Sequence, residues 1–301
     1  MWLTTYLNYY RNVHLGNRAI RRSLSIRHVH YTDMRPVLRR ERDSMVKKAL
    51  LNVCLLGTVP FISFMMLIFH SLVFGGDVQA EEKEGRYLRL REAMVKEQIS
   101  DPPDYRTPVR DMRVLDAMRT LPRHLFVQQE DVSYAYNDYP LSIGYGQTIS
   151  QPYIVAYMTE MLQVEPQHRV LEVGTGSGYQ AAILSYLVQD VYSVEIVGAL
   201  AQRAADRLQH LNYRNVRVKA ADGYYGWEEH APFDRIIVTA AATLVPPPLL
   251  KQLRPGGKMC IPVGGQYAVQ YLTLVEKSEQ GNIKMRKVLP VRFVPLTRDL
   301  R

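Results

Sequence analysis

Three glycines at alternate positions, Gly174, Gly176 and Gly178, separate an apolar run from a helix-forming run. The run before them (Val170, Leu171, Val173) has the near-continuous apolarity of a strand covered on both faces. The run after them, Tyr179-Gln180-Ala181-Ala182-Ile183-Leu184, starts a helix at once. Glycine permits a tight turn and lets a ligand approach the backbone. A helix start beyond it presents free amides and positive potential. A strand, a glycine loop and a helix N-terminus in that order suit a nucleotide-type ligand, although a plain structural turn is the competing reading of the glycines alone.

Three acids sharpen that reading. A second apolar strand, residues 191–194, ends in Glu195. An acid about twenty residues beyond the loop is placed to accept hydrogen bonds from both hydroxyls of a ribose. A third strand, residues 216–219, runs into Asp222 and Gly223. Ligands in open α/β sheets bind at the carboxyl ends of the strands, so these residues should meet there. The spacing is G-x-G-x-G, not the dinucleotide G-x-G-x-x-G. Glu172, at the end of the first strand, disfavours a pyrophosphate and fits a cationic ligand. The expected ligand is therefore S-adenosylmethionine, with a dinucleotide as the competing reading. Glu172, Gly174, Gly176, Gly178, Glu195, Asp222 and Gly223 are the residues expected to bind it.

The elements that must position these residues follow from periodicity. Residues 81–99 read as a helix with Tyr87, Leu90, Met94 and Gln98 near one face, stopped by Asp101-Pro102-Pro103. A second helix is expected over 110–118, with Val114, Leu115 and Met118 inward. Residues 134–153 are rich in tyrosine, glycine and turn formers, and Ser150 is the expected N-cap of a helix over 153–162. The doubly wound core spans 169–238, with a second helix over 197–210 and a fourth strand over 234–238. That strand ends in Thr239-Ala240-Ala241-Ala242, small side chains that leave room for a bound group. A helix over 247–253 is expected to terminate at Arg254-Pro255-Gly256-Gly257, before a strand from 258 to 263. Residues 267–276 and 284–293 alternate as an antiparallel pair around 278–282. The fold class is α/β, a doubly wound Rossmann-like sheet with an N-terminal helical cover. No internal repeat and no metal-ligand spacing of His and Cys is present.

Composition bounds the rest. Of 301 residues, 47% are hydrophobic and 22% charged, as in a folded protein. The formal net charge is +9, but residues 1–80 hold eleven Lys/Arg against four Asp/Glu and so carry +7 of it. The remainder is nearly neutral, which removes the main support for nucleic-acid binding. Two cysteines, Cys54 and Cys260, form no disulfide framework, and each reads as a small buried hydrophobe. Residues 1–44 form a basic leader without steady apolar period, and Met45 is an alternative start. Residues 49–74 hold no Lys, Arg, Asp or Glu and lead into Val78-Gln79-Ala80. That pattern fits a signal segment or a single-pass anchor over 45–80, with 81–301 as the catalytic domain. Export or anchoring would conflict with a donor made in the cytosol, so two localisations stay open.

Six runs are specific enough for a family resemblance: 118–127 (Met118-Arg119-Thr120-Leu121-Pro122-Arg123 onward), 146–152 (Gly146-Gln147-Thr148-Ile149-Ser150-Gln151-Pro152), 171–182, Ala221-Asp222-Gly223, 233–241, and 291–297 (Val291-Arg292-Phe293-Val294-Pro295-Leu296-Thr297). Residues from about 92 to 297 resemble the protein-L-isoaspartate O-methyltransferases in their bacterial form. The resemblance implies a seven-stranded sheet with its last pair antiparallel. It implies methylation of the free α-carboxylate of isoaspartyl residues, with S-adenosylmethionine as donor, no metal, and damaged proteins and peptides as partners. The ester then closes to a succinimide unaided, and hydrolysis returns some normal aspartate. Ser150 is implied as the catalytic residue, with Thr148, Ile149, Val294, Pro295 and Thr297 lining the peptide groove. A monomer is expected. Two other functions fit the same residues: a methyltransferase for another acceptor, and a membrane-tethered binder of damaged protein without catalysis.

Overall fold

The computed structural model describes residues 82–265 and 267–298. The expected leader (1–44), signal or anchor segment (45–80) and Cys54 lie outside the described residues. Among the described residues, no helix is long and apolar enough to cross a membrane.

The chain enters through α1, residues 82–93, which continues as a π-helical segment, Met94–Ser100. The wider π turn rotates the apolar face, so Met94, Val95 and Ile99 are buried. Gln98, expected on that face from a regular period, instead donates its Nε2 hydrogen to the carbonyl of Tyr136 at 2.9 Å. The next helix, α2 (Met112–Thr120), starts later than the period implies because Asp111 caps it, accepting from the Arg113 amide at 2.9 Å. Val114, Leu115 and Met118 are buried as expected, together with Ala117.

A short hairpin, β1 (Leu141–Gly144) and β2 (Gln147–Ile149), occupies the tyrosine- and glycine-rich stretch, and its tip has positive φ at Gly144, Tyr145 and Gly146. Helix α3 (Pro152–Leu162) follows. The expected cap is corrected here: Gln151 is the N-cap, no side chain caps the helix, and Pro152 opens it. Proline at the first helical position has no amide to satisfy, so the helix starts without a serine cap.

The main sheet runs β3 (Arg169–Val173), β4 (Asp190–Glu195), β5 (Val216–Ala220), β6 (Phe233–Val238), β7 (Leu253–Val263), β8 (Gln270–Lys277) and β9 (Ile283–Val291). Its spatial order is β5-β4-β3-β6-β7-β8-β9. Pairs from β5 through β7 are parallel, while β7–β8 and β8–β9 are antiparallel. The seven strands and the antiparallel last pair are those expected. Strand β3 pairs with β4 on one side and β6 on the other, so the order reverses there and opens a crevice at its carboxyl end. Side chains of β3 alternate: Val170 joins one core cluster, Leu171 and Val173 the other. That alternation turns Glu172 towards the first cluster. Helices α4 (Tyr179–Leu187), α5 (Gly198–His210) and α6 (Pro247–Gln252) complete the wound half.

The expected start of the fifth sheet strand is also corrected. β7 begins at Leu253, not at 258, because Leu253 already pairs with Phe233. Arg254-Pro255-Gly256-Gly257 is therefore an irregularity inside the strand, with Gly256 at φ 72°, and not the end of a helix. Cys260 is buried in β7, and burial pushes its thiol well above the usual range.

Candidate functional site

A cleft with about 510 Å³ of empty space lies at the carboxyl ends of β3, β4, β5 and β6. Gly174, Gly176, Glu195 and Gly223 line it, so the three strand ends do meet as expected. Gly174 has φ 100°, and a Cβ there would fall 2.4 Å from Thr239 Oγ1. That hydroxyl donates to the Gly174 carbonyl at 2.6 Å. A Cβ on Gly223 would meet Val173 Cγ1 at 2.5 Å. Both positions exclude side chains on steric grounds. Gly178 is different: it starts α4 with φ 86° and packs against Leu208 of α5, away from the cleft lining.

Glu195 is 6% exposed at the end of β4. Its Oε2 accepts the Gly176 amide at 2.8 Å, and its Oε1 the Val197 amide at 3.0 Å. Each carboxylate oxygen keeps lone-pair capacity for a further donor, so the acid is held by its own loop and still open to hydroxyls.

Glu172 lies beneath the loop, fully buried, and does not line the cleft. Its Oε2 forms a short hydrogen bond with Ser193 Oγ, which in turn meets Thr175 Oγ1 at 2.6 Å. Its Oε1 is buried and makes no well-formed hydrogen bond, although the Ala181 amide is near enough to favour the charged form of the carboxyl. Burial pushes the Glu172 carboxyl up to about 8, the Ser193 hydrogen bond opposes this, and the charge of Glu195 adds to it. The Ser193 hydroxyl donates to the Glu172 carboxyl, and the Glu172–Ser193–Thr175 chain braces the loop from below.

Asp222 caps the turn after β5, accepting from the Tyr224 amide at 2.9 Å. Its Oδ2 accepts from Arg298 Nε at 2.9 Å, and the Arg298 guanidinium lies 3.5 Å from the Tyr224 ring centroid. This pair ties down the C-terminal strap. The same strap is hydrogen-bonded to Ala241, whose amide donates to the Val294 carbonyl and whose carbonyl accepts from the Leu296 amide, both at 2.8 Å. Pro295, Leu296 and Thr297 then face the cleft, whereas Val294 serves as the bridge and is not part of the lining.

Thr148 lines the cleft from β2. Its neighbour Ile149 points into the core at 3% exposure, as alternation along a strand requires. Ser150 is half-buried, outside the cleft lining, and its carbonyl accepts from Arg123 Nη2 at 2.7 Å. Arg123 is fully buried and also donates to the Ala135 carbonyl at 2.8 Å. Its guanidinium sits 5.0 Å from the Tyr179 ring centroid, and burial pushes its pKa down to about 10. Periodicity did not single out Arg123 as a brace for the Ser150 loop, because a lone arginine between Pro122 and His124 carries no pattern. Thr239 and Ala240 were legible only as small residues at a strand end. Among the described residues, no group of His, Cys, Asp and Glu could hold a metal ion.

The family model described as Protein-L-isoaspartate(D-aspartate) O-methyltransferase (PCMT) matches residues 96–301. The chain is similar to protein-L-isoaspartate O-methyltransferase 2 of Syntrophobacter fumaroxidans, 55% identical over 241 residues, covering 78% of this chain and 96% of the relative. It is 59% identical over 186 residues to protein-L-isoaspartate O-methyltransferase 1 of Cupriavidus necator, covering 62% of this chain and 72% of the relative. A solved protein-L-isoaspartate O-methyltransferase superimposes with TM-score 0.55 at 31% identity, over 62% of this chain and 61% of that one. A Plasmodium falciparum structure, a putative member in complex with S-adenosyl-L-homocysteine, shares the fold at TM-score 0.58 and 24% identity, covering 71% of this chain and 99% of its own.

Proposed function

The chain belongs to the protein-L-isoaspartate(D-aspartate) O-methyltransferase family, and on that premise we propose how its residues divide the work. It is a carboxyl methyltransferase of damaged proteins that uses S-adenosylmethionine and starts repair of isoaspartyl residues.

The residues present fit that donor. The cleft is lined by backbone of the glycine loop and by the ends of three neighbouring strands, where a nucleoside-type ligand binds in open α/β sheets. Gly174 and Gly223 leave backbone where any side chain would collide, and Glu195 has acceptor capacity for a ribose. When bound, the donor supplies a methyl group already activated on a sulfonium. Glu195 holds the ribose through both hydroxyls, with Gly174 and Gly176 close to the donor and Gly223 beside Asp222 at the adenine end. Glu172 supports the loop from beneath, and Gly178 packs α4 on α5.

The acceptor needs no base, since an α-carboxyl with a pKa of about 3.3–3.7 is ionised at neutral pH. The protein's task is in-line positioning and partial desolvation of that carboxylate. Ser150 is the residue proposed to donate to it or orient it, and Arg123 fixes the backbone that carries Ser150. Thr148, Pro295 and Thr297 line the wall where a peptide would lie, while Ile149 and Val294 shape that wall from behind.

The observation that carries this reading is Glu195, hydrogen-bonded to the amide of Gly176 across the glycine loop of the cleft. The test offers the full chain labelled S-adenosylmethionine and two peptides, one with isoaspartate and one with aspartate at the same position. Base-labile label in the isoaspartyl peptide alone is the expected result. Label in neither peptide, with donor still bound, would assign the site to a different acceptor.

A further inference from the structure

A second cavity, with about 690 Å³ of empty space, shares Gly176 alone with the donor cleft, so the glycine loop stands between the two. Arg203 and Arg207 line it. They lie four residues apart on α5, which puts both guanidiniums on one helix face. Each commits one N–H to a backbone carbonyl: Arg203 Nη2 to Ile143 at 2.9 Å, and Arg207 Nη1 to Ser177 at 2.7 Å. Neither forms an ion pair with a carboxylate among the described residues. Asp206, the acid between them, accepts from Gln202. Glu130 is the one acid in the cavity lining, and it is exposed. Burial and the neighbouring charge of Arg203 both lower the pKa of Arg207, the mark of a cation pair without its counter-charge.

The cavity also adjoins the acceptor wall. Ile143 of β1 lines it, while the adjacent Ser142 pairs across the hairpin with Thr148, which lines the donor cleft. The hairpin therefore has one cavity on either side. Arg203 itself lies against the hairpin tip, with its guanidinium 5.2 Å from the Tyr145 ring centroid, so a polypeptide crossing the hairpin beyond Thr148 would pass beside it.

We infer that Arg203 and Arg207 form a carboxylate-recognising subsite for an acidic side chain that flanks the isoaspartate in the damaged polypeptide. This rests on the proposed acceptor placement. The methionine carboxylate of the donor has the same chemistry, but the glycine loop separates its cleft from the arginines.

The test uses the full chain and isoaspartyl peptides that differ only in one flanking residue, Glu, Gln or Lys, moved through each position on both sides. The wild-type protein is expected to show a KM about tenfold lower for the Glu peptide than for the Gln peptide at one position or more, with Lys higher still. Arg203→Gln should bring the Glu-to-Gln ratio to about one, while Arg203→Lys retains part of it. Calorimetry with S-adenosylhomocysteine should give equal affinities for the wild type and both variants. Indifference of the wild type to Glu at every position overturns the subsite, as does a ratio that survives Arg203→Gln. Loss of donor affinity with the peptide ratio intact would assign the pair to the donor instead. If the acceptor reading itself were wrong, the wild type would label none of the peptides, an outcome distinct from all of these.

Discussion

The two walls of the cleft are held by different means. On the proposed donor wall every hold includes a backbone group: two amides donate to Glu195, the Gly174 amide donates to the Val194 carbonyl, and the Thr239 hydroxyl donates to the Gly174 carbonyl. Behind them a buried Glu172–Ser193–Thr175 chain fills the floor. On the acceptor wall, the hairpin tip and the strap stand in solvent, with Tyr145 60% exposed. Side chains from distant parts of the chain pin them, Arg123 to the Ser150 carbonyl and Arg298 to Asp222. The donor is one molecule, and a preorganised site binds it without reordering cost. The acceptor is one residue of a polypeptide, so on the proposed placement its wall gains from being adjustable.

This contrast can be broken most sharply at Gly174. Gly174→Ala adds a Cβ onto the Thr239 hydroxyl and demands φ 100° of a non-glycine residue. A loss of about 100-fold in S-adenosylhomocysteine affinity is expected, equivalent to about 3 kcal/mol. Calorimetry decides this, and a loss below threefold would mean the donor wall is not rigid. On the other wall, Ser150→Ala should lower kcat at least about tenfold while donor affinity stays put, because Ser150 lies outside the donor cleft and caps no helix. Near-normal turnover in a peptide assay would remove Ser150 from the chemistry.

A third effect, on stability and not on binding or turnover, concerns the floor. The folded value of Glu172, about 8, lies above its ordinary 4.5, so the folded state binds the extra proton between those values. Stability therefore falls as pH rises from about 4.5 to 8. Glu172→Gln removes that cost, and a gain of about 1–3 kcal/mol over the wild type is expected near pH 7. The gap should close below about pH 4.5. Urea unfolding across a pH series checks the sign, and a gap that does not change with pH would show that Glu172 is ionised in the fold.

How far each wall was legible follows from the same contrast. The glycine spacing, the apolar strands and the acids at their ends are local patterns, and they placed Gly174, Glu195 and Gly223 correctly side by side. The proposed acceptor wall is held by long charged side chains that reach across to another element, Arg123 to the Ser150 carbonyl and Arg298 to Asp222. No period or spacing reports those pairs. The serine cap failed for a related reason: Pro152 opens the helix without a side-chain cap, so Ser150 stays on the hairpin's exit. The start of β7 was misplaced because Pro255 and two glycines read as a helix stop, while the pairing of Leu253 with Phe233 had already begun the strand.

The sequence by itself determined the doubly wound order of strands and helices, since burial on both sheet faces demands continuous apolar runs and the helices between them demand a 3.6-residue period. It also marked the glycine loop at Gly174, Gly176 and Gly178 between a strand and a helix start, because glycine spacing is a local pattern. The tertiary structure alone decided that Glu172 lies under the loop and not in the cleft, that Asp222 is already paired, and that two arginines share a cavity in which neither is ion-paired among the described residues. Those outcomes depend on which face of an element meets which neighbour, and contacts between distant segments set that choice.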